Sequence, residues 1–443
     1  MVEQMKPSGI DWIKNIPISW NINKVKYLAT DSNTLFLDGD WIESDVIEDS
    51  GIRYLTTGNV GTGYYKDQGS GYISQKTFDE LHCLKVVPGD LMISRLNEPI
   101  GRACIVPDGE NFYVVAVDNV ILRPNKEYNK KFIMYAMNTD GYAEHGNIIA
   151  RGATMSRVSR SQLGQFWIAY PDMNEQNLIA DFLDKQCGII DEIISDLEKQ
   201  IEILQKFKKS LILETVTKGL NKNVPMKPSG IDWIGDIPAT WDIKRIKDVS
   251  KMQTGTTPPN NEGVNIDGDG VNWFTPGDFI DGSIELLNSE KFVNDETIQR
   301  ESIKIYPKYS ILFVGIASIG KLGYFENACY SNQQITAIKT NNMENSKFIA
   351  YSLMASMDYT KSNALYTTVP IINNAYLGVI KIPFPKEKEQ KEIVFYLDKK
   401  CLQIDEIVKG KKEQLEKIKQ HKKSLIYEYV TGKKRVKEAT NGN

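Results

Sequence analysis

The chain has 443 residues, 54 Lys and Arg against 57 Asp and Glu, a net charge of −3, and 41% hydrophobic and 10% aromatic content. Such a length allows two or three globular domains with cores of their own, and a charge this near zero excludes nucleic-acid binding by bulk positive charge, leaving only local charge for that role. No charged-then-apolar leader opens the chain and no run of about 18 apolar residues occurs, which predicts a soluble, cytoplasmic protein with no membrane partner.

In chain order, residues 1–24 form an arm built on Met5–Ile13 (MKPSGIDWI) and ending at Trp20. Pro7, Gly9 and Pro17 break regular structure here, and Trp12 and Trp20 are expected to pack the arm onto a domain. Short apolar runs follow up to residue 170: Tyr54-Leu55, Leu84–Val87, Asp90–Ser94, Ala103–Val106 and Val114–Val117. They read as strands of a mixed sheet, and Lys130–Asn138 as a short helix. Residues 151–170 carry Arg151, Arg157 and Arg160 without an acidic residue. Residues 1–170 are thus an arm with a first globular unit.

Residues 171–218 read as one long helix. Leu183, Ile190, Leu197, Leu204 and Leu211 recur every seven residues as the a line of a heptad. Ile193 and Phe207 would share the d line with Gln186, Gln200 and Glu214. Residues 219–225 are a polar connector. The order then repeats: MKPSGIDWI returns letter for letter as Met226–Ile234, opening a second arm and globular unit over 226–389. A second long helix covers 390–432, and 433–443 is a basic, polar tail. Residues 390–431 align with 176–217 without a gap, and 20 of the 42 positions are identical. In the second helix Lys411 falls on an a position and His421 on a d position. A period of two hundred residues or more means two copies of one domain-plus-helix unit. The globular interiors have diverged while arm and helix are nearly duplicated, as expected of a framework facing two copies of one partner. A fragment ending in the connector should keep a complete unit and pair with a second copy of itself.

Motifs for chemistry are missing. The three histidines make no HExxH, the five cysteines (83, 104, 187, 329 and 401) make no CxxC pair, and no GxSxG elbow occurs. Nor is there an Asn/Asp-Pro-Pro-aromatic tetrapeptide of an amino-methyltransferase. Gly315–Leu322 (GIASIGKL) fits a phosphate-binding loop until its last position, where Leu322 replaces the hydroxyl that would ligate Mg²⁺. A tight turn between strands, needing Gly320, is the expectation there. No catalytic or metal-binding residue is assigned.

What remains is a binding surface. Arg95, Asn97, Arg151, Thr154, Ser156, Arg157 and Arg160 lie between strands of the first unit. Ser318, Lys321, Asn332, Gln333, Gln334, Tyr366, Thr367, Thr368 and Asn373 lie at corresponding places in the second. Arg and Lys can pair with guanine edges, Asn and Gln with adenine edges, and hydroxyls with phosphates. From Lys399 to Lys437 there are 13 Lys and Arg against 5 Asp and Glu, a local positive charge.

The repeated KPSGIDWI arm resembles that of Type I restriction-modification specificity subunits. So do Pro88–Leu91 (PGDL), Ile100–Arg102 (IGR) and the two related long helices. The resemblance covers all but about the last ten residues. It implies an α+β fold of two similar mixed α/β target recognition domains, separated by two long helices in an antiparallel coiled coil with an internal pseudo-two-fold. It further implies a non-catalytic subunit whose domains each read one half of a bipartite site in double-stranded DNA. Two methyltransferase subunits and motor-nuclease subunits would be its partners, and these would bind the S-adenosylmethionine, ATP and Mg. A fused enzyme lacks its motifs here. A coiled-coil scaffold with two heads for another ligand would share the architecture without a salt-steep affinity for duplex DNA.

Overall fold

The computed structural model describes residues 4–69, 71–96, 99–150, 156–266, 268, 270–362 and 371–436. Contacts divide the chain into two units that are not sequential: Met1–Asp196 with Gln414–Asn443, and Leu197–Glu413. Each therefore contains one head, one arm and a part of each long helix.

In the first head, Leu35–Asp38, Asn119–Arg123, Leu91–Ser94 and Ala103–Ile105 lie side by side in that order, all antiparallel. The central strand Leu91–Ser94 is buried throughout because both faces of the sheet are covered. Side chains alternate between the two sides as the pleat requires. Leu91, Ile93, Val120 and Leu122 join the main core with Trp20, Phe132, Tyr142 and Phe166. Met92, Cys104 and Ile121 join a second cluster under a small sheet, in which Ile52–Leu55 pairs antiparallel with Tyr72–Ile73 and parallel with Val114–Val115. The helix Lys130–Met137 starts where the Asn129 side chain accepts from Lys131 and Phe132 backbone N–H groups.

The second head repeats this plan. Its main sheet runs Ser250–Thr254, Ile335–Thr340, Ser310–Val314, Leu322–Phe325, again antiparallel. Its small sheet pairs Val271–Phe274 antiparallel with Phe292–Val293 and parallel with Tyr330–Ser331. The expected strand Leu84–Val87 is only an isolated bridge at Val86.

The long helices span Met173–Lys218 and Glu387–Val430, and they pair antiparallel. In the first unit Asp191 meets Lys422 at 2.6 Å and Phe182 lies 4.5 Å, ring to ring, from Tyr429. In the second, Lys208 Nζ donates to both Asp405 oxygens at 2.7 and 2.8 Å. These two ion pairs join equivalent residues of the repeat, so each unit is built on the same contact. The heptad assignment needs correction. The line Leu183, Ile190, Leu197, Leu204, Leu211 does face the partner helix or the head, but its companion lies four residues on, through Cys187, Ile194, Ile201, Lys208 and Thr215. Ile193 and Phe207 are 41% and 56% exposed, and His421 is exposed as well. The reason is visible in composition: the +4 line holds Cys and two Ile, whereas three of the five +3 residues are Gln or Glu. Lys411, half-buried in the seam, donates its ammonium to Gln200 at 2.5 Å.

One aspartate on each helix mounts the head beside it. Asp184 accepts from Tyr135 Oη at 2.7 Å and from Lys131. Asp398 accepts from Tyr351 Oη at 2.8 Å and Lys347 Nζ at 2.9 Å. Burial is the main force holding both phenols well above their ordinary pKa, with the aspartates adding to it.

Each arm is a short hairpin, Met5–Pro7 with Asn15–Pro17 and Met226–Pro228 with Asp236–Pro238, in identical register. The first arm does not sit on its own helix end. It sits on the end of the second helix, where Tyr427 Oη donates to Trp12 O at 3.1 Å and Lys433 Nζ to Ile13 O at 2.9 Å. The second arm sits on the end of the first helix, burying Trp241 with Ile212 and Val216. Both helices stop at a glycine in the left-handed region, Gly219 (φ +70) and Gly432 (φ +68). A Cβ on Gly432 would lie 2.4 Å from the Pro17 ring, so the stop is also what lets the arm close in. A fragment ending in the connector thus keeps the first head but loses the seat of the first arm.

Candidate nucleic-acid interface

At one end of the first head's main sheet, four stretches of chain meet: Asp38 ending its strand, the turn at Arg95, the turn before Asn119, and Ser156–Arg160. Arg95 N donates to Asp118 O at 2.8 Å and Val158 N to Arg95 O at 3.1 Å, while Leu96 and Arg157 form a bridge. These backbone bonds bring three arginines and two aspartates together from four separate positions in sequence. Asp118 Oδ1 lies 3.0 Å from Arg157 and 3.5 Å from Arg95. Asp38 lies 3.3 Å from Arg95 Nε and 3.2 Å from Arg160 Nε. The result is a chain of alternating charge, Arg157–Asp118–Arg95–Asp38–Arg160.

Its middle member is buried and its ends are open. The Arg95 side chain is only 6% exposed, against 39% for Arg157 and 38% for Arg160. Burial lowers the Arg95 pKa most; Asp38 then raises it, Arg157 lowers it, and Asp118 and Arg160 act in the same opposed senses. Arg95 is therefore a buried strut between the two carboxylates. Arg160 is tied at two points, to Asp38 and, through Nη1, to Phe36 O at 2.8 Å. Ser156 is exposed next to Arg157. Asn97, Arg151 and Thr154 lie outside the described residues.

The second head builds the same junction from different chemistry. Ile372 N donates to Gly315 O at 2.9 Å, Gly315 N to Gln334 O at 2.9 Å, and Ile316 bridges Ile371. Matching these bonds, and the sheet registers, places Gly315 where the first head has Arg95, Gln334 for Asp118, Thr254 for Asp38, Ile371 for Arg157 and Asn374 for Arg160. The charges are gone. Asn374 donates to Thr254 Oγ1 at 3.0 Å and accepts from Thr336 at 2.7 Å, and Asn332 donates to Gln334 at 3.0 Å. Gln333 is exposed and accepts from Thr257. The Asn373 side chain caps a short helix by accepting from Tyr376 N, as Ser159 does from Gln162 N in the first head.

Lys321 is half-buried, and its ammonium lies 3.4 Å from Phe279 O, just as Arg102 Nε donates to Val60 O at 2.8 Å. Both tie a hairpin to the small sheet. Ser318 is exposed in that hairpin's turn. The stretch Gly315–Leu322 is a strand–turn–strand with Gly320 at φ +83, and no helix follows it to receive a phosphate. Tyr366, Thr367 and Thr368 lie outside the described residues. Among the described residues no group of three or more His, Cys, Asp or Glu could hold a metal ion, and no helix is long and apolar enough to cross a membrane.

Asp38 and Asp118 were not singled out from sequence, and nothing local marks them. Asp38 ends an apolar strand and Asp118 lies in a turn, and only strand pairing brings them to Arg95.

A family model described as the Type I restriction modification DNA specificity domain matches residues 32–205 and again residues 238–417. A putative type I restriction enzyme specificity subunit, MjaX, of Methanocaldococcus jannaschii is 26% identical over 377 residues, covering 83% of each chain. The MjaIX specificity subunit of the same organism is 29% identical over 191 residues, 42% of this chain and 43% of that one. A solved structure described as the basis of complex assembly and conformational transition of the type I R-M system superposes with a TM-score of 0.70 at 15% identity, covering 94% of this chain and 98% of that one.

Proposed function

Because the chain belongs to the Type I restriction-modification DNA specificity family, with two such domains, we propose that each head reads one half of a bipartite site in duplex DNA. The observation that carries this is the pair of junctions: one backbone arrangement, presented twice, with its surface side chains exchanged. A pair of heads sharing a partner and a mechanism, but not a target sequence, would have to be built so. Arg157 and Arg160 at one junction and Gln333 and Gln334 at the other are of the kinds suited to base edges.

On this reading the chain itself does no chemistry. The paired helices dock two methyltransferase subunits, to which motor-nuclease subunits join, and those partners bind S-adenosylmethionine, ATP and Mg. In support, the helices leave apolar residues exposed along their length, among them Ile203 (63%), Phe207 (56%), Leu402 (56%) and Phe395 (74%). Exposed apolar rows on a surface mark partner contacts.

The test is a binding titration of the chain with its methyltransferase partner on duplex DNA at several salt concentrations, with the methylated bases mapped. A salt-steep affinity and a single bipartite methylated sequence are expected. Duplex affinity indifferent to salt and sequence would refute the reading.

A further inference from the structure

We propose that Arg157 is the guanine-reading side chain of the first head, set in reading position by Asp118, and that the matching place in the second head reads no guanine. This rests on the DNA-reading role proposed above.

The five-membered charge chain has a direction. Its anchor, Arg95, is buried between the two carboxylates, each of which also pairs with an outer arginine. Three guanidinium groups against two carboxylates leave one positive charge over, and the exposed ends carry it. Of those ends Arg160 is fixed at both Nε and Nη1. Among the described residues, Arg157 is held at Nη2, 3.0 Å from Asp118, with its side chain 39% exposed. A guanidinium steadied at one nitrogen keeps the rest of its planar fork for a partner, and that fork matches the O6 and N7 acceptors of guanine. Fixing the rotamer beforehand also lowers the entropy lost on binding.

The second head supplies the contrast. Every member of the network is replaced together, both aspartates by neutral side chains and the three arginines by Gly315, Ile371 and Asn374. Ile371, in the place of Arg157, is 45% exposed. It has no donor for O6 or N7, and an apolar side chain there suits a thymine methyl.

The experiment uses the chain complexed with its methyltransferase subunits, on a DNA library varied at each position of both half-sites, read by sequencing the methylated products. Wild type should demand guanine at one position of the first half-site. Arg157→Ala and Arg157→Ile should each lose that preference by about 10- to 100-fold at that position alone, and Arg157→Lys should not restore it. Asp118→Asn should also lose it, while affinity for unrelated duplex holds or rises because a negative charge has gone. A purely structural Asp118 would not separate these two readouts. If Arg157→Ala instead weakens every sequence alike and lowers the salt slope by about one unit, the contact is to phosphate and the proposal fails. It fails too if Arg157→Ala melts earlier with its base preference intact. Loss of discrimination at both half-sites would overturn the assignment of one head to one half-site, the reading beneath it.

Discussion

The seam of the first long helix can be tested at two residues six apart. Ile201, on the line the structure buries, is 9% exposed, whereas Phe207, on the line suggested by a heptad count, is 56% exposed. Ile201→Ala removes three buried carbons, worth about 0.8 kcal/mol each. The space left between the helices adds to that, for an expected loss of roughly 2–4 kcal/mol. Phe207→Ala opens no cavity, and alanine recovers about 0.5 kcal/mol of helix propensity, so its net cost should stay below roughly 1 kcal/mol. Urea unfolding followed by far-ultraviolet circular dichroism reads both. The Ile201→Ala midpoint should fall at unchanged slope, with Phe207→Ala close to wild type. A Phe207→Ala variant as unstable as Ile201→Ala would refute the seam through Cys187, Ile194 and Ile201.

Asp398→Ala should cost roughly 2–3 kcal/mol, since the buried Tyr351 hydroxyl loses its acceptor and the half-exposed Lys347 its partner. Adding Tyr351→Phe should recover part of it in a thermal-unfolding cycle, and strict additivity would show that the two do not interact. At alkaline pH the buried thiols matter. Burial raises Cys104 and Cys329 from 9.0 to about 12. A folded pKa raised in this way leaves stability intact below about pH 9 and removes it as pH climbs toward 12, by about 1.4 kcal/mol per thiol at pH 10. Cys104→Ala should flatten that part of the stability–pH curve, and an unchanged curve would contradict it. A fragment of residues 1–220 lacks Tyr427, Val430 and Lys433, on which its arm sits, yet its own end carries Ile212 and Val216, which seat the other arm. It should dimerise in sedimentation by seating each arm on the other copy, and a monomer with a protease-sensitive arm would count against this.

Much of the architecture was legible in sequence because it rests on local or repeated signals. Helix periodicity over more than forty residues, and a second copy in exact alignment, needed no knowledge of approach in space. The turn at Gly320 was equally local, since Leu322 and the following strand-forming residues excluded a phosphate loop. The same holds for Arg157 as a surface candidate, named simply because it is an arginine between strands.

What tertiary structure alone decided is which groups face each other. A seven-residue repeat marks one line of a helix; the apolar Cys187, Ile194 and Ile201 favour a companion four residues on, but that Lys208 and Thr215 continue this line into buried positions is decided by what packs against them. The arms share the nine residues MKPSGIDWI letter for letter, and nothing in that shared stretch says that each closes on the helix of the other repeat; that follows from antiparallel pairing, which brings the far helix end to each arm. Arg95 and Arg157 look alike as letters. Strand pairing buries one between Asp38 and Asp118 and leaves the other at the rim, because an ion pair depends on distances across the sheet that no spacing along the chain encodes.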